Sequence, residues 1–453
     1  MCADLYKRVR SRSVLHRAWR VVRESGLSSL SSETERNTKS FDENSVNNLE
    51  RLADQLRNRR FKFENEIGKA LPKGRGKPGR RPLVVAPIAN RIVRRAILDI
   101  LQGYGQDSSN ARSRWEGVPR IKRVMETSTS VGGIPTRGVP YGLSLIDRAV
   151  QTGYHWFVRS DIQDFFTRIP LAQVVGFVRD SVDDSEFSTL FADALATNLA
   201  NRAELEERNH FKLFPSQEVG VAQGSALSAR AGNITLQQFD ESMNGRGIVC
   251  VRYIDDFILL GKTQAKVTAA FASAQDKLRR LGMTAYDPSD PVAKRGGKVD
   301  QGNIHAGTDV LGYRISAGSF QPSADAQKAL LTKLDKVVRL AKIAMQNAAA
   351  RQTTSQLYLY HQAATMIHKI TWGWSQSFKH TNARHVLQNL DKQVDARLIE
   401  LQRIAQHFTR DGSPLTRRRV TGIHLLQDTH GFPLPEITEA DIGSTIARLP
   451  LAS

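Results

Sequence analysis

The stretch Ile248–Gly261, with the sequence IVCVRYIDDFILLG, places two adjacent aspartates between two apolar runs. There Val249, Val251 and Tyr253 alternate with Cys250 and Arg252, which predicts a half-buried strand. The second run, Phe257–Leu260, predicts another short strand, so Asp255 and Asp256 fall at or near the turn of a β-hairpin. Carboxylates between apolar strands are costly unless a cation neutralises them. Taken alone, the stretch is equally compatible with an ordinary Asp-Asp turn.

A second apolar strand, predicted over Tyr154–Asp161, also ends in a carboxylate. Two strands that bring three carboxylates together make a site for two Mg²⁺ ions roughly 3.5–4 Å apart. At such a site one ion activates an attacking 3′-hydroxyl, and the other holds the triphosphate and stabilises the leaving pyrophosphate. Because phosphoryl transfer depends mostly on positioning and electrostatics, this pattern indicates nucleotidyl transfer.

Basic residues are strongly in excess. The 453 residues carry a net charge of +20 with a pI near 10.1, which indicates a polyanionic partner, nucleic acid before membrane. From Ile67 through Leu98 there is no acidic residue. There Pro72–Pro82 predicts a basic loop, followed by a strand at Arg81–Ile88 and a helix at Ala89–Gln102. A basic loop beside a strand can close over phosphates, because guanidinium groups bind phosphates bidentately. The alternative interpretation of these basic residues is a solvated surface without a ligand.

The other segments predict mainly helices and loops. Helices are predicted at Leu5–Val22 and Asp42–Arg59 with a Ser-rich break between them, at Leu171–Glu207, at Thr263–Leu281, and almost continuously over Ser323–Phe408 with breaks near Gln352–Thr354 and Trp372–Asn382. Residues 103–150 and Gly282–Gly307 predict loops, and Val310–Ile315 predicts a short strand. Gly220–Asn233 is rich in small residues, which either let a backbone approach a ligand closely or form a flexible loop before a helix.

The two cysteines, Cys2 and Cys250, fit neither a disulfide framework nor a metal site, and Cys250 is predicted to be a small core residue. No apolar run approaches the ~18 residues of a membrane span, and the N-terminus lacks the apolar stretch of a signal peptide. The sequence therefore predicts a soluble, cytoplasmic protein without a membrane partner.

Five motifs, in family order over roughly residues 45–320, resemble those of reverse transcriptases. They are Arg81-Pro-Leu with Pro87 and Arg91–Ala96, similar to the fingers segment of group II intron-like enzymes; Asp161–Phe166 (DIQDFF), similar to the first palm motif; Gln223-Gly224 with Ser228, similar to Q-G-x-x-x-S-P; Tyr253–Asp256 (YIDD), similar to Y-x-D-D; and Leu311–Tyr313 (LGY), similar to the primer grip. The resemblance implies an α+β right-hand polymerase fold, with fingers and a palm built on an antiparallel sheet, followed by an all-helical thumb or C-terminal domain.

The resemblance also implies a division into five parts. These are an N-terminal helical extension (1–60), fingers (61–160), a palm (161–320) with an inserted helical segment at about 171–220, a helical thumb or C-terminal domain (321–410), and a basic C-terminal tail (411–453).

Metal-binding roles follow from the resemblance. Asp161, Asp255 and the backbone carbonyl of Ile162 match the ligands of two Mg²⁺ ions, for which Mn²⁺ can substitute. Asp256 matches an accessory carboxylate of the same catalytic site.

Pocket residues follow in the same way. Phe166 matches the steric gate against the 2′-hydroxyl of a ribonucleotide, which favours DNA over RNA as the product because the hydroxyl would be left clashing and unpaired. Gln223, Gly224 and Tyr253 match residues that line the pocket for the nucleotide and the template.

Phosphate contacts are less completely specified. Arg81 matches a residue that holds the triphosphate, with Lys77 or Arg80 as alternatives. Either Lys294 or Lys298 could protonate the pyrophosphate, and their spacing does not choose between them.

Three positions depart from the family patterns. Ala229 stands where proline is usual after Ser228, Asn90 where an acidic residue is usual, and Arg94 where glutamine is usual.

The resemblance therefore implies an RNA-directed DNA polymerase that makes cDNA from dNTPs on a structured non-coding RNA template. By elimination among bacterial groups it most resembles the stand-alone reverse transcriptases of antiphage defence, with retron or group II intron enzymes as the alternative family. Untemplated or homopolymer nucleotidyl transfer, and an RNA-binding scaffold with an unused polymerase site, are the alternative functions. Homo-oligomerisation stays open.

Overall fold

The computed structural model describes residues 4–29, 31–73, 79–103, 115–216, 218–350 and 358–426. The chain divides into two compact units, one comprising Met1–Leu311 with Ile315–Gly318 and the other Gly312–Arg314 with Ser319–Ser453. Each unit has its own hydrophobic core. No helix within the described ranges is long and apolar enough to cross a membrane. The finer division into five parts stays a prediction.

Four helices begin the first unit: α1 (Leu5–Val9), α2 (Arg12–Leu27), α3 (Ser32–Glu43) and α4 (Ser45–Arg57). The sequence predicts only two helices here, so α3 corrects that prediction. Ser31 caps α3, since its hydroxyl accepts a hydrogen bond from the Thr34 amide at 3.4 Å. The Ser-rich break predicted at Ser25–Ser32 is present but shorter than predicted, since α2 continues to Leu27 and α3 begins at Ser32.

A β-hairpin and a long helix follow. β1 (Ile67–Pro72) pairs antiparallel with β2 (Arg80–Val85), and α5 (Ile88–Gln102) is buried along most of its length and packs against α2. The strand and the helix predicted here are confirmed within a few residues of their predicted bounds.

Two helices occupy much of the segment that the sequence predicts as loop: α6 (Pro119–Glu126) and α7 (Val139–Gln151). The loop prediction for residues 103–150 was therefore wrong in these parts, while residues 104–114 lie outside the described ranges. Both helices have proline in the first turn, where its missing N–H costs nothing. Proline in this segment marked helix starts rather than continuous loop.

A four-stranded antiparallel sheet lies in the middle of the first unit. Its strands, in spatial order, are β4 (Ile248–Tyr253), β5 (Asp256–Gly261), β3 (Trp156–Asp161) and β6 (Val299–Asn303). Between these strands in the sequence lie the helices α8 (Phe165–Arg168), α9 (Leu171–Arg179), α10 (Ser185–Leu195), α11 (Arg202–Glu207), α12 (Ser228–Met243) and α13 (Gln264–Arg280), of which α12 and α13 pack on the sheet. Phe257 of β5 packs between Phe239 of α12 and Phe271 of α13, with ring centroids 5.6 and 6.5 Å away.

The segment Gly282–Gly307 contains a short helix, α14 (Pro291–Arg295), and β6, where the sequence predicts only loop. That prediction was wrong because β6 has the polar sequence VDQGN, in which only Val299 is buried. β6 is a strand because it pairs with β3, and no local apolar pattern indicates this.

Three short strands follow: β7 (Thr308–Val310), β8 (Tyr313–Ser316) and β9 (Ser319–Pro322). The single strand predicted at Val310–Ile315 is interrupted, because Leu311 and Gly312 both have positive φ, at 55° and 82°.

The described part of the second unit contains four helices: α15 (Ala324–Ala349), α16 (Tyr360–Ser377), α17 (Arg384–Thr409) and α18 (Pro414–Thr421). The break predicted near Gln352–Thr354 lies outside the described residues. The second predicted break begins too early, since α16 continues through Trp372 to Ser377. Trp374 supports this last turn, because its indole N–H donates to the Ala326 carbonyl at 3.3 Å.

Candidate active site

β3 and the β4–β5 hairpin bring the three predicted carboxylates to one end of the sheet. Asp161 at the end of β3 lies opposite Asp256 at the start of β5, and Asp256 also lies opposite Tyr253 at the end of β4. Asp255 therefore sits in the two-residue turn between the strands. Its carbonyl accepts a hydrogen bond from the Ile162 amide at 2.8 Å, which ties the turn to β3.

Two basic side chains form ion pairs with Asp161 and Asp256. Arg159 Nη1 lies 3.9 Å from Asp161 Oδ1 and 3.7 Å from Asp256 Oδ1. Lys298 Nζ forms a close ion pair with Asp161 Oδ2. Arg159 is itself held by the Gly297 carbonyl, to which it donates at 2.8 Å. The segment before β6 thus contributes both the ammonium group and a contact that orients the guanidinium.

The pKa values of the site reflect burial first and charge second. Burial raises the pKa of Asp256 to about 7; Arg159 opposes this rise, and the charges of Asp161 and Asp255 add to it. Burial, then the charge of Asp161, raises the pKa of Asp255. Burial lowers the pKa of Lys298, but its contacts with Asp161 and the charge of Asp255 outweigh that effect and raise it overall. Asp255 and Asp256, whose pKa values are raised, therefore lie close to the Lys298 ammonium, which is protonated at neutral pH.

The donor atoms suit a hard divalent cation such as Mg²⁺ or Mn²⁺, because they are carboxylate oxygens. Asp256 Oδ1 is buried without a hydrogen-bond partner, so it can serve as a ligand. As they stand, the His, Cys, Asp and Glu side chains of the described ranges nowhere form a group of three or more that could hold a metal ion. At Asp161, Lys298 pairs with Oδ2 and would compete with a divalent ion for that oxygen.

The predicted pocket residues lie on neighbouring segments. Phe166 is half-buried, with its ring centroid 5.4 Å from that of Phe165, and its carbonyl accepts a hydrogen bond from the Val221 amide at 2.7 Å. The Gln223 carbonyl accepts a hydrogen bond from the Val84 amide of β2 at 3.1 Å.

Position 224 favours glycine, because both its backbone conformation and the space around it disfavour a side chain. Its φ is +108°, and a Cβ there would lie 3.3 Å from the Val84 carbonyl oxygen. The loop before α12 is therefore in direct contact with the β1–β2 hairpin.

The residues predicted to contact phosphates, Arg81 with Arg80 or Lys77 as alternatives, differ in their surroundings. Arg81 is exposed on β2, and its charge partly opposes the rise in the pKa of Asp255. Arg80 instead donates to the Ala70 carbonyl of its own hairpin at 2.9 Å, and Lys77 lies outside the described residues.

The two candidate lysines are also distinguished. Lys294 is exposed and lines a small cavity of about 120 Å³ with Trp156 and Gln301. Lys298, by contrast, pairs with Asp161 at the carboxylates.

Three residues of this region were missed by the sequence reasoning. Arg159 had a usable signal, since it lies two residues before Asp161 and therefore on the same face of β3. Arg252 contradicts the half-buried pattern predicted for β4, because it is completely buried. Tyr286 had no sequence signal: its amide donates to the Asp161 carbonyl at 3.1 Å, and its ring centroid lies 5.9 Å from Lys298 Nζ.

Comparison with known proteins identifies this part of the chain. Residues 71–286 match the family described as "Reverse transcriptase (RNA-dependent DNA polymerase)". The chain is 22% identical over 237 residues to protein YkfC of Escherichia coli (strain K12), an alignment that covers 44% of this chain and 55% of that protein. The chain thus spans about half the length of this curated relative.

Two solved structures are similar at low scores. A chain of the "Partial Cas6-RT-Cas1–Cas2 complex" has a TM-score of 0.31 and 19% identity, covering 61% of this chain and 41% of its own length. A chain of telomerase from Candida albicans, solved with a fragment of telomeric RNA, has a TM-score of 0.35 and 11% identity, covering 82% and 67%.

Residues 71–286 form a reverse transcriptase domain. This confirms the predicted resemblance to reverse transcriptases for this segment and, together with the antiparallel sheets and the helical second unit, the predicted α+β polymerase fold.

Proposed function

We propose that this chain is an RNA-directed DNA polymerase that extends a primer with deoxynucleotides by two-metal nucleotidyl transfer. One observation carries the proposal: Asp161 and Asp256 are paired across two strands beside the Asp255 turn, within the segment that matches reverse transcriptases. Three carboxylates on adjoining strands suit a two-ion site.

Asp161, Asp255 and the Ile162 carbonyl are the proposed ligands of two Mg²⁺ ions, which Mn²⁺ can replace, and Asp256 is the accessory carboxylate. When bound, such ions lower the pKa of the primer 3′-hydroxyl and offset the charge of the triphosphate. Arg159, 3.7 Å from Asp256 Oδ1, neutralises the accessory carboxylate.

Two basic residues act on the phosphates in this proposal. Arg81 is exposed beside the turn and holds the triphosphate through its guanidinium. Lys298 keeps a proton on Nζ at neutral pH because its pKa is raised. Once released from Asp161, it donates that proton to the leaving pyrophosphate.

Phe166 selects deoxynucleotides, because an aromatic edge leaves a 2′-hydroxyl clashing and unpaired. Gln223, Gly224 and Tyr253 line the pocket for the nucleotide and the template base. The proposal includes a structured non-coding RNA as template, which the net charge of +20 supports. It also includes a role in antiphage defence in the cytoplasm, which rests on the family resemblance alone.

The test is incorporation of single labelled dNTPs or NTPs, with Mg²⁺, by protein purified with and without its bound RNA. We expect product from dNTPs that depends on RNA. Asp255→Ala is expected to lose at least about 10³-fold in rate, because it removes a proposed metal ligand.

Asp276→Ala is the matched control, since Asp276 is an exposed carboxylate on α13 that pairs only with its helix neighbour Arg279 among the contacts described. It is expected to retain wild-type rates. Product formed from NTPs but never from dNTPs would contradict the proposal. Full activity in Asp255→Ala would also contradict it.

A further inference from the structure

Arg252 is one of the two largest side chains that are completely buried in the described residues. Its guanidinium donates to Asp240 Oδ1 at 2.7 Å, to Ser130 Oγ at 2.9 Å, to Asn233 Oδ1 at 3.0 Å and to the Ile254 carbonyl at 2.7 Å. The two-pronged contact with Asp240 neutralises a charge that would otherwise be costly to bury. The remaining donors are free to fix other segments.

These contacts join three parts of the first unit. Asn233 and Asp240 belong to α12, and Ser130 belongs to the loop between α6 and α7. The Arg252 backbone reinforces the link to that loop: its amide donates to the Thr129 carbonyl at 3.0 Å, and its carbonyl accepts from Val131 at 2.9 Å. The Ile254 carbonyl is the one contact that lies in the turn carrying Asp255.

That turn needs support from outside. Ile254 has a φ of +60°, in the left-handed region that β-branched residues avoid. The loop after Ser130 also packs tightly on it, since a Cβ at Gly132 would lie 2.6 Å from the Ile254 amide nitrogen. Two hydrogen bonds hold the turn: Arg252 donates to the Ile254 carbonyl, and Ile162 donates to the Asp255 carbonyl.

We propose that Arg252 is a positioning residue for metal binding: by holding the Ile254 carbonyl, it keeps the strained turn in the orientation that presents Asp255 beside Asp161. The inference rests on the proposed function, in which Asp255 is a metal ligand. Residues that orient metal ligands typically change metal affinity or activity by about 10- to 100-fold when replaced.

A second buried ion pair provides the matched control. Arg94 pairs with Glu66 and donates to the carbonyls of Ala194 and Ala196, at 2.7 and 3.2 Å. Arg94 is as buried as Arg252, but the groups it contacts lie outside the catalytic turn. Replacing either arginine by lysine keeps the charge and breaks the guanidinium geometry.

The experiment compares Arg252→Lys with Arg94→Lys in the full chain. Mn²⁺ binding is measured by electron paramagnetic resonance, and amide hydrogen exchange is measured on peptides that cover residues 250–258. Both variants are expected to lower Tm. Only Arg252→Lys is expected to weaken Mn²⁺ binding about 10-fold or more and to speed exchange in the turn. Its apparent KM for Mg²⁺ rises in the same proportion, while its KM for dNTP stays within about twofold of wild type.

A second pair of variants, with smaller structural changes, tests the inference if Arg252→Lys does not fold. Ser130→Ala removes one acceptor of Arg252, and Ser181→Ala removes an equally small buried hydroxyl from the end of α9. We expect a two- to fivefold loss of Mn²⁺ affinity for Ser130→Ala and none for Ser181→Ala, since one buried hydrogen bond has about that effect.

The inference is overturned if each Arg252 or Ser130 variant matches its control in Mn²⁺ affinity and in exchange of the turn. The exchange measurement needs no polymerase activity. An inactive wild-type protein would therefore count against the proposed function, whereas equal exchange in Arg252→Lys and Arg94→Lys would count against the role of Arg252.

Discussion

Asp256 differs from a surface carboxyl in two respects: one of its oxygens is buried without a hydrogen-bond partner, and burial raises its pKa to about 7. Arg159 opposes the rise without cancelling it. In the metal-free protein the protonated and ionised forms of this side chain are therefore comparably populated near pH 7. Binding of a divalent ion favours the ionised form and releases the proton.

Asp256→Asn is expected to change the pH dependence of stability. The folded pKa of Asp256 lies above its ordinary value of 3.8, so between about pH 4 and 7 the folded state keeps a proton that the unfolded state has released. The stabilisation from this group is present at low pH and is lost as the pH rises through about 7. Without divalent ions, the stability of Asp256→Asn relative to wild type should therefore rise on the order of 2 kcal/mol from about pH 5 to 8.

Thermal unfolding in metal-free buffer measures this difference. Asp276→Asn, which changes an exposed carboxylate on α13, should follow the wild-type pH profile. Parallel profiles for wild type and Asp256→Asn would show that the carboxyl of Asp256 titrates normally in the folded protein.

Glu66 explains two departures from the family pattern. Asn90 stands where an acidic residue is usual, and Arg94 stands where glutamine is usual. In the structure Arg94 forms a buried ion pair with Glu66, and Asn90 Nδ2 donates to the Glu64 carbonyl at 2.9 Å and to Glu66 Oε1 at 3.3 Å. The negative charge that α5 lacks at Asn90 is supplied by the residue before β1, so both departures belong to one local arrangement.

At the scale of elements, the small residues before and within α12 permit close packing around the catalytic segment. A Cβ at Gly232 would lie 2.7 Å from two ring atoms of Phe165, which is buried at the start of α8. α12 therefore approaches α8 at a distance that only glycine allows. The next residue, Phe166, is the proposed steric gate.

Gly232→Ala is expected to destabilise the protein by about 1–3 kcal/mol, because the added methyl overpacks a rigid ring. This cost outweighs the gain of about 1 kcal/mol that alanine normally brings to a helix interior. Urea unfolding measures the resulting change in the free energy of unfolding.

Gly176→Ala is the matched control on α9, since a Cβ there would meet nothing within 4 Å. It is expected to stabilise the protein by up to about 1 kcal/mol. A neutral or stabilising Gly232→Ala would mean that α12 and α8 separate easily, contrary to the packing described.

Elements differed in how well the sequence predicted them. β3, β4 and β5 were predicted because their apolar runs are dense and are bounded by aspartates or glycine. β6 was missed because its polar residues become a strand only through pairing with β3. α6 and α7 were missed because the segment is rich in glycine, serine and arginine, which predicted a loop, although each helix has a proline in its first turn.

For the whole molecule, the net charge of +20 predicts that binding to a nucleic acid would depend strongly on electrostatic attraction. Each phosphate neutralised on a single strand should contribute about −0.7 to the slope of log K against log salt. With several contacts, we expect RNA binding to weaken with a slope steeper than about −3. Fluorescence anisotropy with a labelled RNA at increasing KCl measures the slope.

Asp255→Ala is the informative variant for this measurement, because it should abolish synthesis and leave the salt slope within experimental error of wild type. RNA binding that is insensitive to salt would contradict an electrostatic interface. A slope that changes strongly in Asp255→Ala would instead place the carboxylate turn in RNA binding.

The sequence by itself determined the family, the polymerase fold and the position of the Asp-Asp turn, because each depends on short local patterns of apolar runs, turns and motif residues. Only the tertiary structure decided which side chains accompany that turn. It pairs Lys298 with Asp161, places Arg159 within 4 Å of both Asp161 and Asp256, and buries Arg252, which donates to the Ile254 carbonyl in the turn. These choices depend on the pairing of strands distant in sequence and on the burial of charges, neither of which is visible in local periodicity. In the folded protein the Asp-Asp hairpin is therefore one part of a site that also contains Asp161 and Arg159 of β3 and Lys298 from the segment before β6, and Arg252 joins it to α12.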